Sequence, residues 1–266
     1  MTPDTTISMK SLCGWTGRHA IRLFTYPVDL SLFVFHSLRD WTHHARHRDG
    51  VRAALRQLLR TGADPLPAVV ALGFIVGFTF ALPLIMFLPD LAENELAPVL
   101  MRLIGLELGS LLTAVVLIGR TGRAMAIELA NMKLHGELRG LERLGIGIND
   151  FFVAPGLIAT GVGQLVLATC FTATALFGGM LLASLALRGE AGGLATATLA
   201  AVETGELLVF IVKNLLFGLV IAGSACYSAL QVERSPTEVP RRAQQAATSS
   251  LLLVFFINGL LAVLAT

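Results

Sequence analysis

Residues 65–89 read PLPAVVALGFIVGFTFALPLIMFLP and contain no charged side chain. At about 1.5 Å per residue, a helix of this length exceeds a hydrocarbon core about 30 Å thick. The run therefore predicts a transmembrane helix. Residues 151–187 form a second uncharged run, too long for one untilted span and too short for two with a loop. It predicts one long helix with Gly-rich ends. Residues 243–266 form a third. Two further apolar runs are interrupted by charge: 96–119 by Arg102 and Glu107, and 203–232, beyond Glu203 and Glu206, by Lys213. The expected fold class is an all-α integral membrane protein with five transmembrane helices.

Composition agrees. Hydrophobic residues make up 55% of the 266, charged residues 14%, and mean hydropathy is +0.73. Soluble domains carry about 25% charged residues, so a water-soluble enzyme is excluded, and so is a disordered chain. A net charge of +2 without a dense basic stripe excludes a nucleic-acid binder. Cys13, Cys170 and Cys226 lie far apart with no CxxC pair, which indicates neither a zinc site nor a disulfide framework. His43, His44 and His47 lack a Glu or Cys to complete a metal site.

Lys and Arg set the expected orientation. Nine fall in residues 1–64, five in 120–150 and three in 233–242, against Arg188 alone in 188–195 and none in 89–95. The three rich segments are read as cytoplasmic, which places the N-terminus inside and the C-terminus outside. Residues 1–20 lack the apolar stretch and cleavage site of a signal peptide. In the N-terminal region Leu23, Phe24, Val28, Leu32, Phe35 and Leu38 recur at helical spacing, flanked by Arg18, Arg22, Arg39, Arg46 and Arg48. That pattern predicts a helix lying in the membrane interface. A second short helix at about 51–61, with Arg52, Arg56 and Arg60, leads to Pro65. No internal repeat is found. The expected organisation is one domain over 1–266, with interfacial or elbow helices in 1–64 and a transmembrane bundle in 65–266.

The segment 119–150 reads GRTGRAMAIELANMKLHGELRGLERLGIGIND. Met125, Leu129 and Met132 start an apolar stripe that Leu134, Leu138, Leu141 and Leu144 continue, with Glu128, Lys133, Glu137, Arg139, Glu142 and Arg143 on the remaining surface. The pattern predicts an amphipathic helix, packed on its own bundle or lipid, or presented to a partner groove. Within the spans, Glu107 and Lys213 lie about ten residues deep. An ionised group there costs on the order of 2.5–3.5 kcal/mol, so both are expected to face a polar cavity or each other. Arg102, nearer the outer end, is placed to snorkel. Gly73 with Gly77, and Gly105 with Gly109, form GxxxG pairs suited to close helix contact within the chain or across a dimer seam.

The run ELGSLLTAVVLIGRTGRAMAIELANMKLHGELRGLERLGI resembles the MlaE/YrbE family of ABC-transporter permeases. Glu107-Leu108-Gly109, Gly119-Arg120-Thr121-Gly122, Ala124, Glu128-Leu129, Met132, Glu137, Leu141-Glu142, Gly145 and Pro155 match the family pattern in order and spacing, and IVKNLLFGL at 211–219 resembles its Lys-containing fourth span. The chain departs from the pattern at Leu106, where Arg is common, at Ser110 in place of Pro, at Asn149-Asp150 or Ile148-Asn149 in place of Asp-Pro, at Asn258 where Asp is common, and at Pro240-Arg241-Arg242 in place of a GVG-like turn.

The resemblance implies a dimeric, non-catalytic permease of the bacterial inner membrane. Its partners would be a separate ABC-type ATPase, a periplasmic lipid-binding protein of the MCE type, and a second permease copy, identical or paralogous. Such systems move phospholipids or related lipids between the inner and outer membranes. No GxxxxGK[ST] motif occurs, and none of the three lysines (Lys10, Lys133, Lys213) follows Gly, so ATP would be used through the partner. On this reading Glu107, Lys213, Phe74, Phe78, Leu82 and Met86 line a lipid cavity. Glu128, Met132, Glu137, Leu141 and Glu142 contact the ATPase, and Gly119, Arg120 and Gly122 form a structural motif. The alternative is an ion-coupled secondary transporter with Glu107 as proton site.

Overall fold

The computed structural model describes residues 26–37, 39, 62–87, 100–145, 147–186, 204–233 and 235–265. The expected helix at 51–61, the His43–His47 cluster and the segment 89–95 lie outside these. Among the described residues every regular element is helical. Helix α1 covers 26–37 and α2 Leu66–Phe87. Helix α3 is a continuous run of four pieces: π-helical Leu100–Leu108, α-helical Gly109–Leu117, π-helical Ile118–Gly122 and α-helical Arg123–Leu134. A short α4, Glu137–Arg143, follows. A π-helical turn, Asn149–Val153, leads into α5, Ala154–Ala186. Helices α6, Thr204–Leu230, and α7, Glu238–Ala265, complete the bundle. Among the described residues five stretches are long and apolar enough to cross a membrane: Leu66–Pro83, Met101–Leu134, Phe151–Leu182, Thr204–Leu230 and Glu238–Val263.

The expected span count is met, with two differences of boundary. The second crossing does not end at 119. It runs on through the Gly119–Gly122 motif to Leu134, about 50 Å of helix against a core of about 30 Å, so the helix is longer than the hydrocarbon is thick. The amphipathic stretch read as one helix is two. His135 ends α3, Gly136 takes φ 76°, a left-handed conformation that suits Gly, and α4 starts at Glu137. The last helix begins at Glu238 and carries Pro240, Arg241 and Arg242 in its first turns, where Pro costs no internal hydrogen bond.

Helix α5 is the spine. It packs along α2, α6 and α3. Hydrophobic burial does not distinguish a helix partner from lipid, so close backbone approach supplies the cohesion. A Cβ on Gly77 would lie 1.9 Å from the Ala175 carbonyl oxygen, and one on Gly73 2.2 Å from Thr174 Oγ1. Gly105 and Gly109 face Thr172 and Phe171, and a Cβ on Gly218 would lie 2.4 Å from the Thr160 carbonyl oxygen. Both GxxxG pairs thus pack within the chain.

Helix α1 leans on α6 and α7. Leu30 and Val34 cover Gly223, Tyr26 and Phe33 meet the Tyr227 ring edge-on, and Ser249 donates to the Tyr26 oxygen at 3.0 Å. Burial pushes the Tyr26 phenol above its usual range. Val28, Leu32 and Phe35, part of the expected apolar stripe, form the opposite, exposed face.

Gly77→Ala is expected to destabilise the bundle by about 1–3 kcal/mol, because the Ala175 backbone cannot move aside without shifting α5. Gly259→Ala, which meets nothing within 4 Å, is expected to be neutral or slightly stabilising. Thermal unfolding of the two variants in the same detergent tests the contrast.

Candidate functional site

A cavity of about 460 Å³ opens between the first turns of α3 and α6. Arg102, Leu106 and Glu107 line it from α3, and Gly205, Glu206, Val209, Phe210 and Lys213 from α6. Two ion pairs cross it. Arg102 Nε meets Glu206 Oε1 at 2.9 Å, and Lys213 Nζ meets Glu107 Oε1 at 2.8 Å. Lys213 is 2% exposed and Glu107 42%, so the cation is embedded in protein while the carboxylate reaches the cavity.

The helix winding explains why four charges converge. Residues seven apart on an α-helix share a face, as Glu206 and Lys213 do on α6. Residues five apart on an α-helix diverge by about 140°. The π-helical ladder of Leu100–Leu108, closed between residues five apart, brings Arg102 and Glu107 onto one side instead. Each helix then presents one acid and one base in opposite order, and the pairs form without crossing.

A buried polar network sits directly beneath. Gln164 Nε2 lies 3.1 Å from the Ser110 carbonyl, 3.0 Å from Thr113 Oγ1 and 3.2 Å from Asn214 Oδ1. Asn214 Nδ2 donates to Ser110 Oγ at 3.0 Å and to the Phe210 carbonyl at 2.9 Å. All four residues are at or near zero exposure. Thr172 adds a bond to the Gly105 carbonyl at 2.9 Å inside the π-helical piece. The network ties α3, α5 and α6 together next to Glu107 and Lys213. Ser110 marks a departure from the family pattern, and its hydroxyl now accepts from Asn214.

Of the residues singled out in the sequence, Glu107 and Lys213 come together, and they share the cavity with Arg102. Phe74, Phe78 and Leu82 do not line it; they are exposed on α2. Met86 lies in the last turn of α2, with its side chain outside the described set. Glu128, Glu137 and Glu142 are exposed, Leu141 is half-buried, and Met132 packs partly on the inner apolar cluster. These five lie at the end of the bundle opposite the cavity. Within the Gly119–Gly122 motif, Arg120 donates to the Asp64 carbonyl at 2.8 Å, Arg123 to the Gly119 carbonyl, and Gly122 lies close to Ile221. Sequence reasoning did not assign Glu206, Gln164, Asn214 or Thr113 to a site. Their signal was present as polar side chains within apolar spans, but no linear spacing links them.

Removing Glu107 leaves the buried Lys213 ammonium without its carboxylate. Breaking a buried pair costs about 3–5 kcal/mol; the half-exposed position of Glu107 puts Glu107→Ala at the low end, about 3 kcal/mol or less. Lys213→Met added to Glu107→Ala is expected to recover most of that stability. Melting of the single and double variants in detergent decides it, and equal melting temperatures would show that the pair holds nothing.

The permease MlaE family matches residues 54–264. A probable ABC transporter permease protein of Rickettsia typhi is 28% identical over 254 residues, covering 95% of this chain and 97% of the relative. The chloroplastic protein TRIGALACTOSYLDIACYLGLYCEROL 1 of Arabidopsis thaliana is 26% identical over 218 residues, 79% of this chain and 60% of the relative. The intermembrane phospholipid transport system permease protein MlaE of Haemophilus influenzae is 28% identical over 128 residues, 48% of this chain and 49% of the relative. The match runs from ahead of α2 into the last turn of α7 and takes in both the cavity and the C-terminal end of α3, so this multi-pass membrane protein belongs to the MlaE permease family.

Proposed function

We propose that this chain is the lipid-translocating permease of an ATP-driven transporter. It would work as a dimer with a separate ATPase and an MCE-type binding protein, and move phospholipids or related lipids between the inner and outer membranes. The observation that carries this reading is the cavity at one end of the bundle. Two ion pairs cross it, and Leu106, Val209 and Phe210 line it beside them. Charged groups beside an apolar wall suit an amphiphile: the headgroup exchanges water for fixed charges, and the acyl chains remain among apolar side chains or lipid. The phospholipid named for the H. influenzae relative fits that chemistry.

The opposite end suits coupling. Helix α3 extends past the hydrocarbon and carries the exposed acids Glu128, Glu137 and Glu142 with α4. Lys133 on α3 donates to the Leu230 carbonyl at the C-terminus of α6, where a cation is favoured by the helix dipole. Arg242 on α7 donates to the Gln231 side chain at 3.0 Å in the same place. Motion of the projecting end of α3 would therefore act on α6, whose other half carries Lys213 and Glu206. ATPase engagement would favour one state of the cavity through this contact. The Lys and Arg distribution supports a cytoplasmic N-terminus and a periplasmic C-terminus, which puts α4 beside the ATPase and the cavity towards the periplasm.

The test is purification of the tagged chain from its own membranes in mild detergent, with mass spectrometry of bound proteins and lipids. An ABC ATPase in equal amount, an MCE protein and phospholipid are expected. The chain alone would favour the ion-coupled alternative with Glu107 as proton site. In the same assay Leu141→Arg, and separately the surface double variant Glu128→Arg/Glu137→Arg, are expected to lower ATPase recovery about tenfold, a loss of about 1.4 kcal/mol of binding. Unchanged recovery in both would remove α3 and α4 from the ATPase contact.

A further inference from the structure

Arg120 and Arg123 differ from the other cations inside the bundle. Arg102 and Lys213 have carboxylates, and Lys133 and Arg242 are taken up at the C-terminal end of α6. Arg120 and Arg123 are exposed, and among the described residues neither meets a carboxylate. Each is aimed instead by a backbone carbonyl. Arg120 Nη1 donates to the Asp64 carbonyl at 2.8 Å, and Arg123 Nε to the Gly119 carbonyl at 2.8 Å. The second bond folds Arg123 back along α3, so that a Cβ on Gly119 would lie 3.6 Å from Arg123 Nη2. Both guanidinium groups are thereby held beside the Gly119–Arg120 turn, with their remaining donors unspent. Like charges drawn to one turn repel, and an anion shared by them removes that cost.

Their depth names the anion. Asp64 is the last charged residue before the uncharged run 65–89, so its contact with Arg120 marks where α2 enters the hydrocarbon. Lipid phosphates lie at that boundary, in the leaflet on the side of the Lys- and Arg-rich segments. We propose that Arg120 and Arg123 form a binding site for the phosphate of an anionic glycerophospholipid in that leaflet, held as a fixed neighbour of the protein and not as cargo. A guanidinium takes a phosphate through paired N–H bonds. A zwitterionic lipid brings its own cation to the same place, so anionic headgroups are favoured. The site is separate from the cavity between the first turns of α3 and α6, and the inference stands without the lipid-permease reading.

The experiment equilibrates the purified protein, with whatever subunits co-purify, with mixed micelles of equal parts phosphatidylglycerol and phosphatidylcholine. The protein is re-isolated and its retained lipid quantified by mass spectrometry. One Arg at a membrane surface strengthens attraction to anionic lipid about fivefold, so the wild type is expected to retain the glycerol lipid over the choline lipid by that factor or more. Arg123→Gln is expected to lower the ratio about twofold or more, and Arg120→Gln/Arg123→Gln to bring it near that of the mixture. Arg123 bonds back onto its own helix, so its single variant leaves the contacts between helices in place. Arg241→Gln, which removes an exposed cation at the start of α7, is expected to keep the wild-type ratio. A wild type that retains no excess of the glycerol lipid, or an excess kept in both Arg123 variants, overturns the proposal. An excess lost equally in Arg241→Gln shows diffuse surface attraction and overturns it too. So does displacement of the glycerol lipid by added inorganic phosphate, which would make the site one for the free ion.

Discussion

A lysine ammonium sits almost fully buried in a span that otherwise reads as apolar, and the arrangement of the cavity follows from holding it there. Lys213 needs a carboxylate within reach, and Glu107 supplies it from another helix. That fixes the lateral position of α3 against α6 and their register. It also suits the winding of α3, because the π-helical form of Leu100–Leu108 brings Arg102 and Glu107 to one side, where Glu107 meets Lys213 and Arg102 meets Glu206. A π-helix is an unfavourable winding in isolation. Here the two ion pairs and the Thr172 hydroxyl bond to the Gly105 carbonyl oppose that cost.

Polar bonds and small residues divide the work of cohesion. Where α2 meets α5, glycines bring backbone against backbone, and a single methyl group would force the helices apart. Where α3, α5 and α6 meet, the Ser110, Thr113, Gln164 and Asn214 network supplies direction as well as contact. Directional bonds fix rotation about the helix axis, which dispersion alone leaves loosely set. Rotation matters most at this junction, since a small turn of α6 would carry Lys213 and Glu206 out of the cavity.

The two ends of the molecule are joined through α6. Its N-terminal half lines the cavity and its C-terminal end is gripped by Lys133 and Arg242 from α3 and α7. From Lys213 to Leu230 is about 25 Å of helix. On the proposed coupling, a displacement at that end would reach the cavity along this one continuous helix.

The sequence by itself determined the class, the number of spans, the depth of Glu107 and Lys213 and the family. These depend on composition, on runs of uncharged residues and on ordered motifs, all of which are local along the chain. It also limited Glu107 and Lys213 to facing a cavity or each other, because the cost of burying charge in lipid leaves few other solutions. Tertiary structure decided the rest. It showed that Arg102 and Glu206, far apart in the sequence and sharing no motif, pair across the cavity. It left Phe74, Phe78 and Leu82 off the cavity wall, since helical periodicity names a face but not what that face meets. It assigned the GxxxG pairs to contacts with α5, and it split the amphipathic stretch at Gly136, where a left-handed backbone ended one helix. Which polar residues converge depends on the rotation of each helix about its own axis. That rotation is set by contacts between distant segments, and no spacing along the chain encodes it.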